Sequence, residues 1–402
     1  MAKKLRVGIL FGGRSGEHEV SLLSAASVLG AIDRDKFDVA PIGITKEGRW
    51  LAAADARGLL NGGDQGAAAE SLQSRKPGQS TTGKLRAGDP EATPGAKLLH
   101  EGILTLLAPE PASQDPAQKA IDVVFPVLHG TFGEDGTIQG LFELAGIAYV
   151  GSGVLGSAAG MDKDVMKRLF AQAGLPIVKH VTLLRADWEK APRKAIAGVE
   201  KALKYPVFVK PANLGSSVGI SKAHDRAELG PALTLAAKYD RKLIVEEGVG
   251  DGKRRGTLVA RAREFEVAVL GNDDPKASVV GEIIPGKEFY DYEAKYLSEG
   301  SVPVIPAKLS RSKTREIREM AVAAFNACDL SGLARVDFLM EAGGKERIYL
   351  NEVNTMPGFT KISMYPKLWE ASGLSYKELI TRLIELALER QAEKGRTVYS
   401  KE

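Results

Sequence analysis

The chain opens with short unbroken apolar runs separated by a run of helical spacing. Leu5-Arg6-Val7-Gly8-Ile9-Leu10-Phe11 is the continuous apolar kind that a buried strand needs. Gly12-Gly13-Arg14-Ser15-Gly16 predicts a turn, and Val20, Leu22, Leu23, Ala26, Val28 and Leu29 after Glu17 predict a helix. Phe37 to Ile44 reads as a second strand, completing a β-α-β unit. The pattern then lapses. No aromatic residue occurs from Leu51 to Val124, and residues 52 to about 96 are dominated by Ala, Gly, Ser, Asp and Lys. This reads as a long surface insertion at about 52–118, expected to be mobile. Order resumes with a strand over 121–128, a helix over 136–144 and Ala148-Tyr149-Val150.

A second region, 161–247, begins with a helix from Met161-Asp162-Lys163 to about Ala173. It continues with a strand over 205–210, a Gly/Ser loop, a helix over 228–239 and a strand over 243–246. In the third region, 248–402, strands are expected over 265–270, 279–284, 334–340 and 347–353, with helices over 311–328 and 376–393. The basic run between Gly250 and Arg263 reads as a solvated loop. The succession is an N-terminal α/β domain over 1–160, followed by α+β regions built on antiparallel hairpins.

Composition narrows the classes. Of 402 residues, 44% are apolar and 26% charged, which supports sizeable cores and excludes disorder as the dominant state. Lys and Arg number 55 against 51 acids, a net charge of +4 that is too small to imply nucleic acid or a membrane surface. Cys328 is the single cysteine, so no intrachain disulfide can form, which fits a reducing compartment. Five scattered histidines show no zinc spacing. The apolar run after Met1-Ala2-Lys3-Lys4 is too short for a signal peptide, and uncharged 144–161 holds too many glycines to span a bilayer. A cytoplasmic protein is expected.

Candidate chemistry concentrates in one hairpin. Arg335 and Asp337 share one face of its first strand, and Glu352 and Asn354 share one face of the second, because strand side chains alternate. Pairing Glu341 with Glu346 would set Arg335 opposite Glu352 and Asp337 diagonal to it. Two carboxylates and an amide without His or Cys form a hard oxygen site suited to Mg²⁺ or Mn²⁺. The alternative is a solvated sheet face, but these acids interrupt strongly apolar strands. Lys210 ends a buried strand and precedes Pro211-Ala212-Asn213-Leu214-Gly215-Ser216-Ser217-Val218-Gly219, a loop able to cradle phosphates or to serve as a plain turn. The Gly12–Glu17 loop lacks dinucleotide-fingerprint spacing, and His129-Gly130 follows a strand where α/β sites form.

Together these blocks resemble an ATP-grasp enzyme, and more specifically the D-alanine–D-alanine ligase family. The resemblance rests on Gly12 to Ser21, Leu128-His129-Gly130, Gly133 to Gly140, Met161-Asp162-Lys163, Phe289 to Tyr296 and Asn351 to Thr360. It implies a two-lobed ATP-grasp fold, a small lobe over 161–247 and a large one over 248–402, behind the N-terminal substrate-binding domain. Asp337, Glu352 and Asn354 would hold two Mg²⁺ or Mn²⁺ ions on ATP, with Asn351 beside them. Lys163, Lys210 and Lys295 would neutralise phosphates, with Ser216 and Ser217 in the phosphate loop. Glu246, Glu247 and Val249 would meet adenine, and Glu264 the ribose. Glu17, with His129 nearby, would bind the first D-alanine's ammonium, and Ser216 and Tyr296 would link to Glu17 in a closing loop. Arg335 and the Gly358 backbone would stabilise an oxyanion, and Ser363 would hold the second carboxylate. The resemblance further implies a homodimer, with D-alanine and ATP as small-molecule partners. Rival readings are another ATP-grasp ligase, such as a D-alanine–D-lactate or glutathione-synthetase-like enzyme, a nucleotide-dependent oxidoreductase, and a non-catalytic binding protein. Tyr296 favours an amine as second nucleophile.

Overall fold

Unbroken burial from Val7 to Gly12 places β1 (Leu5–Gly12) at the centre of a five-stranded sheet. The computed structural model describes residues 4–62, 120–250, 253–254, 257–258, 262–284, 301–342 and 346–400. Beside β1 lies parallel β2 (Phe37–Ile44), edged by antiparallel β3 (Trp50–Ala52). On its other side follow β4 (Val123–Val127) and β5 (Ala148–Tyr149), both parallel. The helix His18–Ala31 makes the β1–β2 crossover that parallel pairing requires.

The expected insertion starts later than its composition suggests. The chain passes from β3 into a helix, Ala53–Gly62, whose Ala56 and Leu60 are buried in the first core. Those two, with Leu59 packed against the same core, dock it, too few to give a periodic signal. Residues 63–119 lie outside the described residues. The glycine-rich stretch likewise holds an unforeseen helix, Val154–Met161. A β-carbon at Gly156 would stand 2.4 Å from the Asp329 carbonyl, and one at Gly160 would stand 2.6 Å from Thr355 Cγ2. The glycines let this helix lie directly on the strand that carries the candidate site.

The second sheet comprises β6 (His180–Leu184), β7 (Val207–Pro211), β8 (Ser221–Ala223) and β9 (Lys242–Glu247), in antiparallel order β6-β9-β7-β8. Val207, Val209, Leu243 and Val245 pack there with the helices Pro192–Ala202 and Arg226–Ala236. The basic run expected to be loop carries a small hairpin instead, β10 (Lys253–Arg254) with β11 (Thr257–Leu258).

The third sheet is antiparallel, made of β12 (Arg263–Gly271), β13 (Lys276–Ile284), β14 (Val302–Val304), β15 (Gly332–Met340) and β16 (Ile348–Asn354). Its order is β14-β13-β12-β15-β16. Phe265, Val267, Val336 and Phe338 bury one face against the helix Arg311–Ala327 and against Met166 and Phe170 of the helix Lys163–Gln172. On the other face Ala268, Leu270 and Leu333 join the first sheet's core, together with Met356, Phe359 and the terminal helix Tyr376–Lys394. Beyond that apolar end the same face turns polar, at Glu266, Arg335, Asp337 and Glu352. Among the described residues no helix is long and apolar enough to cross a membrane.

Candidate active site

The β15–β16 register differs from the simple hairpin expectation. Met340 pairs with Ile348 and Phe338 with Leu350, but the next pair is Asp337 with Glu352. Asn351 is therefore an extra residue, a β-bulge. Had the ladder continued regularly, Asp337 would face Asn351, and Glu352 would point toward the apolar core with Val336. The bulge restores Glu352 to the Asp337 face, directly opposite rather than diagonal, and sets Arg335 opposite Asn354. Arg335 grips Asp337 bidentately at 2.8 and 2.7 Å and approaches Glu266 at 3.3 Å. Asn354 Nδ2 donates to Asp337 at 3.0 Å.

Three lysines converge from a helix and the second sheet. Lys163 and Lys167 lie one turn apart on the helix Lys163–Gln172, hence on one face. Asp162 caps that helix by accepting from the Asp164 and Val165 N–H groups. Lys163 Nζ donates to the Leu214 carbonyl at 2.7 Å and lies 3.7 Å from Glu352 Oε2. Lys167 Nζ lies 2.7 Å from Glu246 Oε1, and Lys210 ion-pairs with the other Glu246 oxygen. Burial alone would raise the Glu246 carboxyl, but the two ammonium charges outweigh it and hold it far below the usual carboxylate range. Burial alone would lower the Lys210 ammonium, but Glu246 and Glu352 outweigh that and raise it.

The loop after Lys210 is bent by Ser216 and Ser217, at φ 49° and 57°. For non-glycine residues this left-handed region costs roughly 1–2 kcal/mol each, and such strain clusters at functional loops. Ser216 Oγ is buried with no hydrogen-bond partner among the described residues. One cavity is lined by Ser216, Ser217, Lys163, Glu352 and Asn354, with Glu134 of the first domain also on its wall.

Loops at the end of the first sheet contribute a second pair of carboxyl groups. Glu17 is buried beside Gly130 and Gly215, where β-carbons would stand 2.7 and 3.4 Å from its oxygens. Glu134 accepts N–H groups from Gly130 at 2.6 Å and Met356 at 3.1 Å. Burial first, and then the charge of Glu17, raise the Glu134 carboxyl well above its ordinary range. Two acids in dry surroundings favour a bound cation. His129 braces the opposite side: its Nδ1 lies 3.0 Å from the Met356 carbonyl, and its Nε2 lies 3.1 Å from Ser24 Oγ. The carbonyl can only accept, which assigns the proton to Nδ1. Ser24 Oγ donates to the bare Nε2 and accepts from the Phe359 N–H at 3.3 Å, so His129 and Ser24 together fix the segment after β16.

Burial lowers the His129 pKa from 6.5 to about 4. Between those values the unfolded chain takes up a proton that the folded one refuses, so stability falls as pH drops through this window. The loss at pH 5 relative to pH 7 is about 2 kcal/mol. Urea unfolding of both proteins at both pH values isolates it: on acidification His129→Gln should lose about 2 kcal/mol less than the parent, the opposing contribution of the raised Glu134 carboxyl being common to the two.

Sequence profiles now bear on this arrangement. The D-ala D-ala ligase N-terminus family matches residues 6–152, and the D-ala D-ala ligase C-terminus family matches 169–385. The chain belongs to the D-alanine–D-alanine ligase family. It is 49% identical to the D-alanine–D-alanine ligase of Natranaerobius thermophilus, over 98% of each chain. Identity to the corresponding ligase of Acetivibrio thermocellus is 50%, over 97% of each. The solved D-alanine–D-alanine ligase from Coxiella burnetii superposes with a TM-score of 0.74 at 34% identity, covering 98% of this chain and 97% of that one. As a member of this family the chain is an ATP-dependent ligase with the ATP-grasp fold, and ATP and a divalent metal are implied.

For a D-alanine–D-alanine ligase, most of the expected residues meet in one place. Glu17, His129, Lys163, Lys210, Ser216, Arg335, Asp337, Glu352, Asn354 and Gly358 lie on or around the cavity or on segments bonded to it. Glu264 sits on the polar face two residues before Glu266, its charge felt at Lys210. Glu247 accepts from the Lys204 N–H at 3.1 Å, at the end of β9 near Val249. Ser363 Oγ receives the Thr360 N–H at 3.1 Å and lies 2.9 Å from where a Gly358 β-carbon would be. Lys295 and Tyr296 lie outside the described residues. Among the described residues no cluster of three His, Cys, Asp or Glu side chains is poised for a metal. The donor set is two carboxylates plus the Asn354 amide, all hard oxygens, and it fits a divalent cation of the Mg²⁺ type once Arg335 shares Asp337. Glu134, Glu266 and Lys167 are site residues that sequence reasoning passed over. Spacing could have flagged two of them: Lys167 is one helical turn from Lys163, and Glu266 is two strand positions from Glu264.

Proposed function

We propose that this chain joins two D-alanines into D-alanyl-D-alanine through an acyl-phosphate intermediate, at the cavity between the three sheets. The observation that carries this reading is one cavity lined together by Glu352, Asn354, Glu134, Lys163 and the Ser216–Ser217 loop. Lys163 and Lys210 neutralise the ATP phosphates, with Lys295 as the third lysine that the family resemblance implies. Glu246, Glu247 and Val249 meet the adenine and Glu264 the ribose, while the Glu246 side chain holds Lys210 in place. A divalent cation, Mg²⁺ or Mn²⁺, held by Asp337, Glu352 and Asn354 supplies charge stabilisation on the phosphates.

The first D-alanine docks with its ammonium against Glu17, beside His129. Its carboxylate oxygen bonds to the terminal phosphorus of ATP as the bond to ADP breaks, and the lysines balance charge by position rather than by covalency. The amine of the second D-alanine, its carboxylate held near Ser363, then attacks the acyl carbon. Arg335 and the Gly358 N–H face the developing oxyanion, phosphate departs, and the amine's proton is lost as the peptide bond forms. By the family resemblance Ser216 and Tyr296 join Glu17 in closing the site, and closure excludes water from the acyl phosphate.

The expected outcome is ADP and phosphate release that requires both Mg²⁺ and D-alanine, with D-alanyl-D-alanine as the product by mass spectrometry. Equal turnover with L-alanine would refute the assignment, and a depsipeptide formed from D-lactate in preference to dipeptide would redirect it.

A further inference from the structure

We propose that Lys167 is a positioning residue that sets the metal-binding face, one buried ammonium holding both the β16 bulge and the carboxylate partner of Lys210. The inference rests on the reading of Asp337, Glu352 and Asn354 as metal ligands. Glu352 faces Asp337 only because Asn351 is extruded from the ladder. β16 is an edge strand, so its outer backbone groups need partners from elsewhere. The helix Lys163–Gln172 and the turn after it supply them. Lys167 Nζ donates to the Asn351 carbonyl at 3.0 Å, Met166 Sδ receives the Val353 N–H at 3.2 Å, and the Pro176 carbonyl receives the Leu350 N–H at 2.8 Å.

The bulge carbonyl is thus held by an ammonium whose side chain is 1% exposed. That ammonium also lies 2.7 Å from Glu246, which in turn holds Lys210. A group with three donors is suited to bind two elements at once. A neutral side chain of similar length could fill the space and hold neither. Lys163, one turn earlier, reaches Glu352 itself, so one helix face fixes the bulge and touches the residue the bulge turns inward. Groups that orient metal ligands typically control metal affinity by 10–100-fold.

The test is Mn²⁺ binding, read by electron paramagnetic resonance with a non-hydrolysable ATP analogue and no D-alanine. Lys167→Met should weaken Mn²⁺ binding by about tenfold, a larger loss than any in metal-free analogue binding, which also feels the loosened Glu246–Lys210 pair. Lys167→Leu, which likewise carries no donor, is read by the same criterion if the methionine variant does not fold. Unchanged Mn²⁺ affinity in a folded variant overturns the proposal, since a residue that merely packs would move thermal stability and not metal affinity. Glu352→Gln is measured alongside. If Mn²⁺ binding survives that substitution, the metal-site reading itself fails. If it is lost there yet retained in the Lys167 variant, only the role of Lys167 fails.

Discussion

Glu352→Gln should leave the protein folded and lower kcat/KM by about a thousandfold, roughly 4 kcal/mol of transition-state stabilisation. The side chain is only partly buried, on the cavity side of β16, and no apolar cluster includes it. The amide keeps the volume and removes the charge. Lys163, 3.7 Å away, then faces an amide, and Asp337, already gripped by Arg335, is the one carboxylate left in the donor set. A thermal midpoint within about 2 °C of the parent is expected, because substitutions away from the core usually stay within ±0.5 kcal/mol. ADP release at saturating D-alanine, with circular dichroism melting on the same sample, separates the two effects. A variant that melts early while its folded fraction keeps full activity would show that Glu352 stabilises the sheet and does not act in the site.

How far the sequence discloses such a site depends on the kind of signal each residue leaves. Strands with unbroken apolar runs, such as Val7 to Phe11, are legible because burial on both faces demands them. The hairpin's strands are legible too, since alternation marks Arg335 and Asp337 on one face. Its register is not. Asn351-Glu352-Val353-Asn354 reads as ordinary alternation, and nothing local shows that Asn351 leaves the ladder. The bulge is fixed by Lys167 and Met166, more than 180 positions away in the chain. Glu134 is hidden for a similar reason: it stands in a Gly-Glu-Asp-Gly turn, and only folding brings it to Met356 and Glu17. The helix Val154–Met161 escapes notice because its close contacts demand glycine, the residue that most weakens a helical reading. Adenine and ribose contacts are implied by the family resemblance alone, and the structure adds that the Glu246 side chain is engaged by two lysines.

That engagement leads to a large expected effect on stability. Glu246→Leu should cost about 3–5 kcal/mol, because it leaves two ammonium groups buried without their shared carboxylate. Lys167 and Lys210 have side chains only 1% and 12% exposed, so water cannot take over the role of Glu246. In the parent the depressed Glu246 carboxyl means that the stabilisation is present above the ordinary carboxylate range, and it is lost only as pH falls far into acid. The variant should behave oppositely at the alkaline end. With Glu246 gone, the burial that opposes charge on Lys210 meets less resistance, and its folded pKa drops below the unfolded value near 10.5. The folded state then holds fewer protons than the unfolded one in that window, so the variant's stability rises as pH climbs toward about 10. Urea unfolding of parent and variant at pH 7 and pH 9.5 decides the matter. The gap between them should be widest at pH 7 and narrower at pH 9.5, with unchanged m-values. A gap that is small at neutral pH would mean that the lysines find other partners, and the two-lysine clasp on Glu246 would then be dispensable to the fold.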